Sequence, residues 1–304
     1  MPVILSAAKN DREHKIIRAI RAIRGQPIPT MKLHYFPSPE ATNTLSTEQL
    51  RERFLIGGMF QPGAVVAHYT DLDRMIAGAA VPTTAPLGLP ADRELGTSFF
   101  LQRREIGILN VGAAGRVHVG GTSHELGNLD CLYIGLGEKD VTFENGSTGQ
   151  AQFYFISTPA HAKYPTAVVR RADVRSDPIG DPAKANRRRI NRLIHLDGLK
   201  SCQLVMGFTE FEPGSVWNTM PPHTHSRRTE IYLYFDLGDD VVFHFMGEPK
   251  ATRHLVVRDR EAILSPAWSI HCGAGTGAYR FVWAMGGDNQ VFADMDPAPI
   301  ATLK

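Results

Sequence analysis

The stretch MPPHTHSRRTEIYLYF, residues 220–235, decides how this chain is read. It places His223 and His225 two apart, then Arg227 and Arg228, then Glu230, then a run alternating tyrosine with apolar residues. On an extended strand, residues two apart point the same way, so both imidazoles share a face. Glu230 lies five beyond His225, the wrong parity for a straight strand. An irregular turn over residues 226–229 is needed to bring its carboxylate back to the imidazoles. Further on, SPAWSIHCG sets His271 five residues past Pro266. Taken singly, the histidine pair is a polar turn and His271 a hydrogen-bonded barrel residue. Taken together, three neutral imidazoles and one carboxylate make a borderline donor set suited to Zn, Fe, Mn, Ni or Co. The spacing would bring them from neighbouring antiparallel strands into one small barrel.

The whole chain suits a packed β protein. At 304 residues, with 43% hydrophobic and 21% charged residues, it can bury one large core or two smaller ones and fits neither disorder nor a fibrous repeat. A formal net charge of +2 supplies no broad field for nucleic acid or an anionic membrane, while leaving room for a small anionic substrate. Cys131, Cys202 and Cys272 are widely spaced and odd in number, against a disulfide framework or a thiolate zinc site and in favour of a reducing, cytoplasmic setting. No stretch approaches the roughly 20 apolar residues of a membrane-spanning helix. Residues 9–24 are basic with isoleucines at helical spacing, and residues 1–30 are read as an extension outside the fold.

After a short helix over residues 47–55, capped by Thr47, period-two strands take over. GAVVAHYT, FFLQRREIGILNVG, GRVHVGG, CLYIGLG and AQFYFIST end a first β-rich unit near residue 166. Residues 167–197 carry two Asp-Pro pairs and the cluster Arg187, Arg188, Arg189 and Arg192. They are read as a linker whose arginines are solvated or meet another subunit, the alternative being a grip on substrate anions. Strands return over residues 198–304. RREIGILNVG and RRTEIYLYFDLG line up loosely, so the chain is read as all-β and duplicated. The first copy lacks the histidines, so only the second is expected to hold metal.

The histidine pair, the glutamate and the later Pro266 and His271 resemble the two motif elements of the cupin superfamily, with Gly214 farther ahead and Trp268 where a glycine is usual. More closely, NTMPPHTHSRRTEIYLYF, SPAWSIHCGAGTGAYRFVWAMGGDNQVFADMD, FFLQRREIGILNVG and AHAKYPT resemble the 4-deoxy-L-threo-5-hexosulose-uronate ketol-isomerase family. That resemblance implies two tandem cupin-like β-sandwich or barrel units with a few short helices, and one zinc per subunit on His223, His225, Glu230 and His271. It also implies a homo-hexamer, and isomerisation of a small anionic keto-deoxyuronate in pectin breakdown. An Fe(II) cupin dioxygenase would use the same donors, and another uronate isomerase, such as a 5-deoxyglucuronate isomerase, would share the fold.

Candidates for the remaining roles come from strand parity. Tyr232 and Tyr234 share the parity of Glu230 and are expected to line its cavity, with Ile231, Leu233 and Phe235 facing an opposing sheet. Glu210 and Glu212 share a face of GFTEFEPG, and Glu210 or Tyr232 is read as the proton carrier. Arg228 is read as a bidentate grip on the substrate carboxylate, Trp217 and Trp268 as pocket walls, and Cys272 as a small buried residue.

Overall fold

Alternation builds the sheets. In the strand Arg228–Phe235, Ile231, Leu233 and Phe235 fall on one face and Tyr232 and Tyr234 on the other, and both faces are buried. In Arg104–Asn110, Ile106 and Ile108 oppose Gly107 and Leu109 in the same way. A strand buried on both faces needs cover on both. The computed structural model, which describes residues 31–176 and 178–304, supplies it with four layers of sheet.

The first large sheet runs, in hydrogen-bonded order, Lys32–His34, Ala64–Thr70, Ile76–Val81, Phe153–Pro159, Arg104–Asn110, Cys131–Ile134 and Ala167–Val169. The second runs Pro178–Ile179, Arg188–Ile194, Val205–Phe211, Arg280–Gly287, Arg228–Phe235, Ala262–Ser265 and Leu55–Ile56. The orders correspond place for place, although Lys32–His34 pairs parallel to its neighbour and Pro178–Ile179 antiparallel. Each large sheet covers its own four-stranded sheet, Leu87–Gly88, Thr142–Asn145, Gly115–Val119 and Thr122–Leu126 in the first unit. In the second, these are Trp217–Asn218, Cys272–Gly275, Val242–Glu248 and Ala251–Val257. The fold is therefore all-β and duplicated, as expected. The two large sheets share one apolar seam in which Leu109, Tyr133 and Ile156 meet Met206, Ile231 and Leu233. At that seam a Cβ on Gly107 would stand 2.8 Å from Ile194 Cδ1 and 2.9 Å from Leu204 Cδ2, so a larger residue there would make those side-chain ends shift.

Three expectations about organisation are corrected. Residues 167–197 are not a free linker: Ala167–Val169 pairs with Cys131–Ile134 in the first unit, and Arg188–Ile194 pairs with Val205–Phe211 in the second. Nor do residues 31–166 keep to one unit. The helix Thr47–Phe54 buries Leu50 and Phe54 in the second unit's core, Leu55–Ile56 pairs with Ala262–Ser265, and Arg51 donates to Val256 O at 2.7 Å. The helix cap is Ser46 rather than Thr47. Its Oγ accepts from Gln49 N while Gln49 Oε1 accepts from Ser46 N, a reciprocal pair that satisfies two end donors. The basic stretch over residues 9–24 lies outside the described residues.

The glutamates of the two copies are not equivalent either. The corresponding strands begin at Arg104 and Arg228, and Ile106 and Glu230 each pair with the last residue of the next strand, Ile134 and Ser265, so Glu105 matches Thr229 and Ile106 matches Glu230. One residue of offset exchanges the faces of a strand. Glu105 therefore points to the seam, fully buried, where it accepts from Tyr133 Oη at 2.6 Å, Thr158 Oγ1 at 3.0 Å and the backbone N–H groups of Cys202, Gln203 and Leu204 at 2.7–2.8 Å. It ties the chain's crossing into the second unit to the first. Glu105→Ala leaves those donors unpaired, and we expect a loss of about 3 kcal/mol or more in unfolding free energy, read from denaturant titration, with Glu105→Gln losing less.

A second buried pair gives the fold a pH dependence. His34 Nε2 and His68 Nδ1 stand 2.9 Å apart, and burial pushes both groups from 6.5 to about 4, with Lys32 beside each adding to the effect. Both fold as neutral rings, so their contribution is complete above pH 6.5 and is lost as the unfolded chain takes up protons between pH 6.5 and 4. Denaturation midpoints should be level from pH 7 to 8.5 and fall below 6.5, with a shallower fall in the His34→Gln/His68→Gln variant.

Candidate metal centre

The HTH stretch begins as a short strand, His223–Thr224, paired with Asp296–Pro297 near the C-terminus. A turn follows at residues 226–227, closed by Arg228 N donating to His225 O at 3.1 Å, and the chain re-enters the large sheet at Arg228. This turn supplies the parity change the spacing demanded, so Glu230 points back toward the imidazoles. His271 arrives just ahead of the strand Cys272–Gly275, opposite in the barrel. His223 Nε2 lies 3.1 Å from His225 Nε2 and 3.0 Å from His271 Nε2. Glu230 Oε2 lies 3.2 Å from His225 Nε2 and 2.9 Å from His271 Nε2.

Among the described residues, these four are the group of three or more His, Cys, Asp and Glu donors that converges tightly enough for a metal ion, with all four donor atoms within 4.8 Å of one another. Four donors at zinc-ligand bond lengths of roughly 2.0–2.1 Å in a tetrahedron stand about 3.3 Å apart, close to the separations here. The rings are oriented from behind. His225 Nδ1–H donates to Asp294 O at 2.9 Å and His271 Nδ1–H to Ser265 Oγ at 3.3 Å, which leaves each Nε2 lone pair facing inward. Donor type, spacing and orientation all fit a divalent ion.

Electrostatics favour the ligand forms. Burial, then the neighbouring His271, push His223 from 6.5 down to about 3, so it is neutral. Burial alone would raise the Glu230 carboxyl, but the imidazoles of His271 and His225 outweigh it and hold the group well below the usual carboxylate range. His223, His225 and Glu230 border a cavity of about 380 Å³, while His271 is 1% exposed behind them. Phe281, Trp283, Met285 and Phe292 make its walls apolar.

Several expected site residues lie elsewhere. Glu210 is on the face of its strand opposite cavity-lining Thr209, ion-paired with Arg171 at 2.5 Å and Arg280 at 3.5 Å, so it is not the proton carrier. Glu212 sits between Arg187 and Arg189. Arg228 does not reach the cavity: 1% exposed, it donates to the carbonyls of Val291 and Asp294 and holds the C-terminal segment against His225. Trp217 stacks on Phe245 at 6.0 Å and Trp268 meets Phe54 edge-on, both away from the cavity lining. Tyr232 lines the cavity, as its parity predicts. Tyr234 does not: its hydroxyl is sealed against His244 Nδ1 at 2.8 Å. Cys272 is buried, its thiol pushed up to about 12 by that burial.

Sequence reasoning missed the segment that holds His225. Arg227 grips Asp294 through Nε and Nη2 and reaches Asp296 at 2.9 Å, pinning residues 294–296 beside the histidine pair. The charge pattern RR followed by DMD some 65 residues on was visible, but nothing local connects them.

Comparisons with known proteins place the chain in a family. Residues 60–300 match the KduI/IolB family. A 4-deoxy-L-threo-5-hexosulose-uronate ketol-isomerase of Opitutus terrae is 72% identical over 275 residues, covering 90% of this chain and all of that protein. A relative of the same name from Halalkalibacterium halodurans is 48% identical, covering 88% of this chain and 97% of its own. In fold, the chain resembles an IolB-like protein from Salmonella typhimurium LT2 with a TM-score of 0.61 at 13% identity, over 71% of this chain and 85% of that one. With the match spanning most of its length and these relatives covered almost end to end, the chain belongs to the KduI/IolB family, on the ketol-isomerase branch its relatives define.

Proposed function

We propose that this protein is a metal-dependent aldose–ketose isomerase. It converts 5-dehydro-4-deoxy-D-glucuronate to 3-deoxy-D-glycero-2,5-hexodiulosonate in the breakdown of pectin-derived uronates, with one zinc ion per subunit held by His223, His225, Glu230 and His271. The observation that carries it is the convergence of four donor atoms, three of them from residues bordering a largely apolar cavity, in a chain 72% identical to a relative of that name. A homo-hexamer in the cytoplasm completes the proposal, supported by the family resemblance.

The reaction moves a carbonyl from C1 to C2. The hydrogen on C2 leaves as a proton, one returns to C1, and the O2 proton is exchanged for one on O1, so no electrons enter or leave. When bound, the ion supplies positive charge beside the substrate oxygens on which negative charge builds, an effect worth several kcal/mol. Glu230, kept ionised by the imidazoles, serves as a donor and is too weak a base for C2. Burial first, then the charge of Glu230, raise the Tyr232 phenol well above its ordinary value, so Oη carries its proton at neutral pH. Thr219 Oγ1 lies 3.3 Å from that hydroxyl. Tyr232 is then the proton carrier of the cavity outside the donor set, giving its proton to the oxygen at which charge develops. Phe281, Trp283 and Met285 give the cavity apolar walls beside Tyr232.

Metal analysis of the purified protein should give one zinc per chain, and chelation should abolish turnover of 5-keto-4-deoxyuronate until zinc is restored. His223→Ala and His271→Ala should each lose both metal and activity while the first unit stays folded. Full activity after complete metal removal would defeat the proposal, and iron with oxygen uptake would point to a dioxygenase instead. Tyr232→Phe should keep its metal and lose about 10²- to 10⁴-fold in kcat.

A further inference from the structure

Among the described residues, the cavity is lined by one lysine or arginine, Arg188, and it comes from the segment expected to be a linker. Strand register orders the cavity lengthwise. Glu230 stands beside Met285, which stands beside Val205. Tyr232 stands beside Trp283, which stands beside Gly207. Arg188 stands beside Phe211, four residues farther along that same strand. The metal donors therefore lie toward one end of the sheet and Arg188 toward the other, with Tyr232 between.

Arg188 differs from the arginines around it. Arg187 and Arg189 lean on Glu212, and Arg171 and Arg280 share Glu210. The guanidinium of Arg188 has a hydrogen bond from Nη1 to Asn186 O at 2.8 Å, and no carboxylate of the described residues lies within ion-pair distance. Burial lowers its pKa, and the groups that oppose this are the hydroxyls of Tyr232 and Tyr279, not a carboxylate. A partly desolvated guanidinium keeps five N–H donors in a planar fork that matches a carboxylate. Leaving such a charge without a counter-ion is costly, and a bound anion offsets that cost.

We propose that Arg188 binds the carboxylate at the end of the substrate remote from the reacting carbonyl, so that the cavity selects sugar acids over neutral sugars. The identity of the substrate rests on the isomerase assignment above, whereas the binding of a carboxylate does not. The geometry measures a chain by its two ends: the hydroxy-carbonyl end meets the His and Glu donors, and the acid end meets Arg188. Arg228, tied to backbone carbonyls, and Arg227, tied to Asp294 and Asp296, do not line the cavity.

The test compares 5-keto-4-deoxyuronate with its analogue carrying a primary alcohol in place of the carboxylate, on the zinc-loaded full chain. Arg188→Met should raise KM for the acid on the order of 10- to 100-fold, with kcat/KM for the alcohol little changed and metal content and thermal midpoint intact. Arg188→Lys should recover part of the loss, since a point charge replaces a fork. Equal losses on acid and alcohol, or no loss on either, would overturn the proposal. If wild-type protein turns over neither compound, the isomerase assignment fails. Calorimetric binding of the two compounds to wild type and Arg188→Met then decides the carboxylate site separately: a preference for the acid that vanishes in the variant sustains it, and no preference in wild type overturns it. Should Arg188→Met not fold, Arg188→Gln serves in the same comparison.

Discussion

Three imidazole nitrogens and one carboxylate oxygen face one another at 2.9–3.2 Å in the interior of the second barrel. Lone pairs brought that close repel unless positive charge sits among them, and burial removes the water that would otherwise separate them. The surrounding structure is arranged to hold this unfavourable grouping. The turn at residues 226–227 folds Glu230 back, Ser265 and the carbonyl of Asp294 orient two of the rings, and the arginine pair Arg227 and Arg228 fastens the C-terminal segment that carries Asp294.

Duplication explains both the scaffold and its division of labour. The two units share a strand order, yet Thr229 places Glu230 on the barrel side of its strand while Glu105 turns to the seam. The same residue type serves two physical ends. One carboxylate, facing imidazoles, belongs to the site; the other, facing a hydroxyl and three backbone N–H groups, fixes how the units meet. The first barrel packs its interior with aromatic rings instead, Phe143 meeting both Phe153 and Phe155.

The seam also shows why the chain is not two beads on a string. Thr47–Phe54 and Leu55–Ile56 leave the first half of the sequence to complete the second unit, and Gly107 lets the large sheets approach closely. Because both large sheets are apolar on both faces, neither unit could stand alone without exposing one of them.

The residues themselves determined the all-β duplicated architecture, the four donors and the place of Tyr232. Most depend on local periodicity, two residues per strand repeat, five residues across a turn and one parity shared along EIYLYF, while His271 came from a second motif farther along the chain. Tertiary structure alone decided the fates of Glu210, Arg228, Trp217 and Arg188. A strand's polar residues look alike in sequence whether they point into a cavity or into an ion pair, and the difference lies in which distant element covers each face. Arg171 and Arg280 claim Glu210, the carbonyls of Val291 and Asp294 claim Arg228, and Arg188, left without a carboxylate among the described residues, faces the cavity. Those partners lie up to about 70 residues away, beyond the reach of any pattern with a period of two.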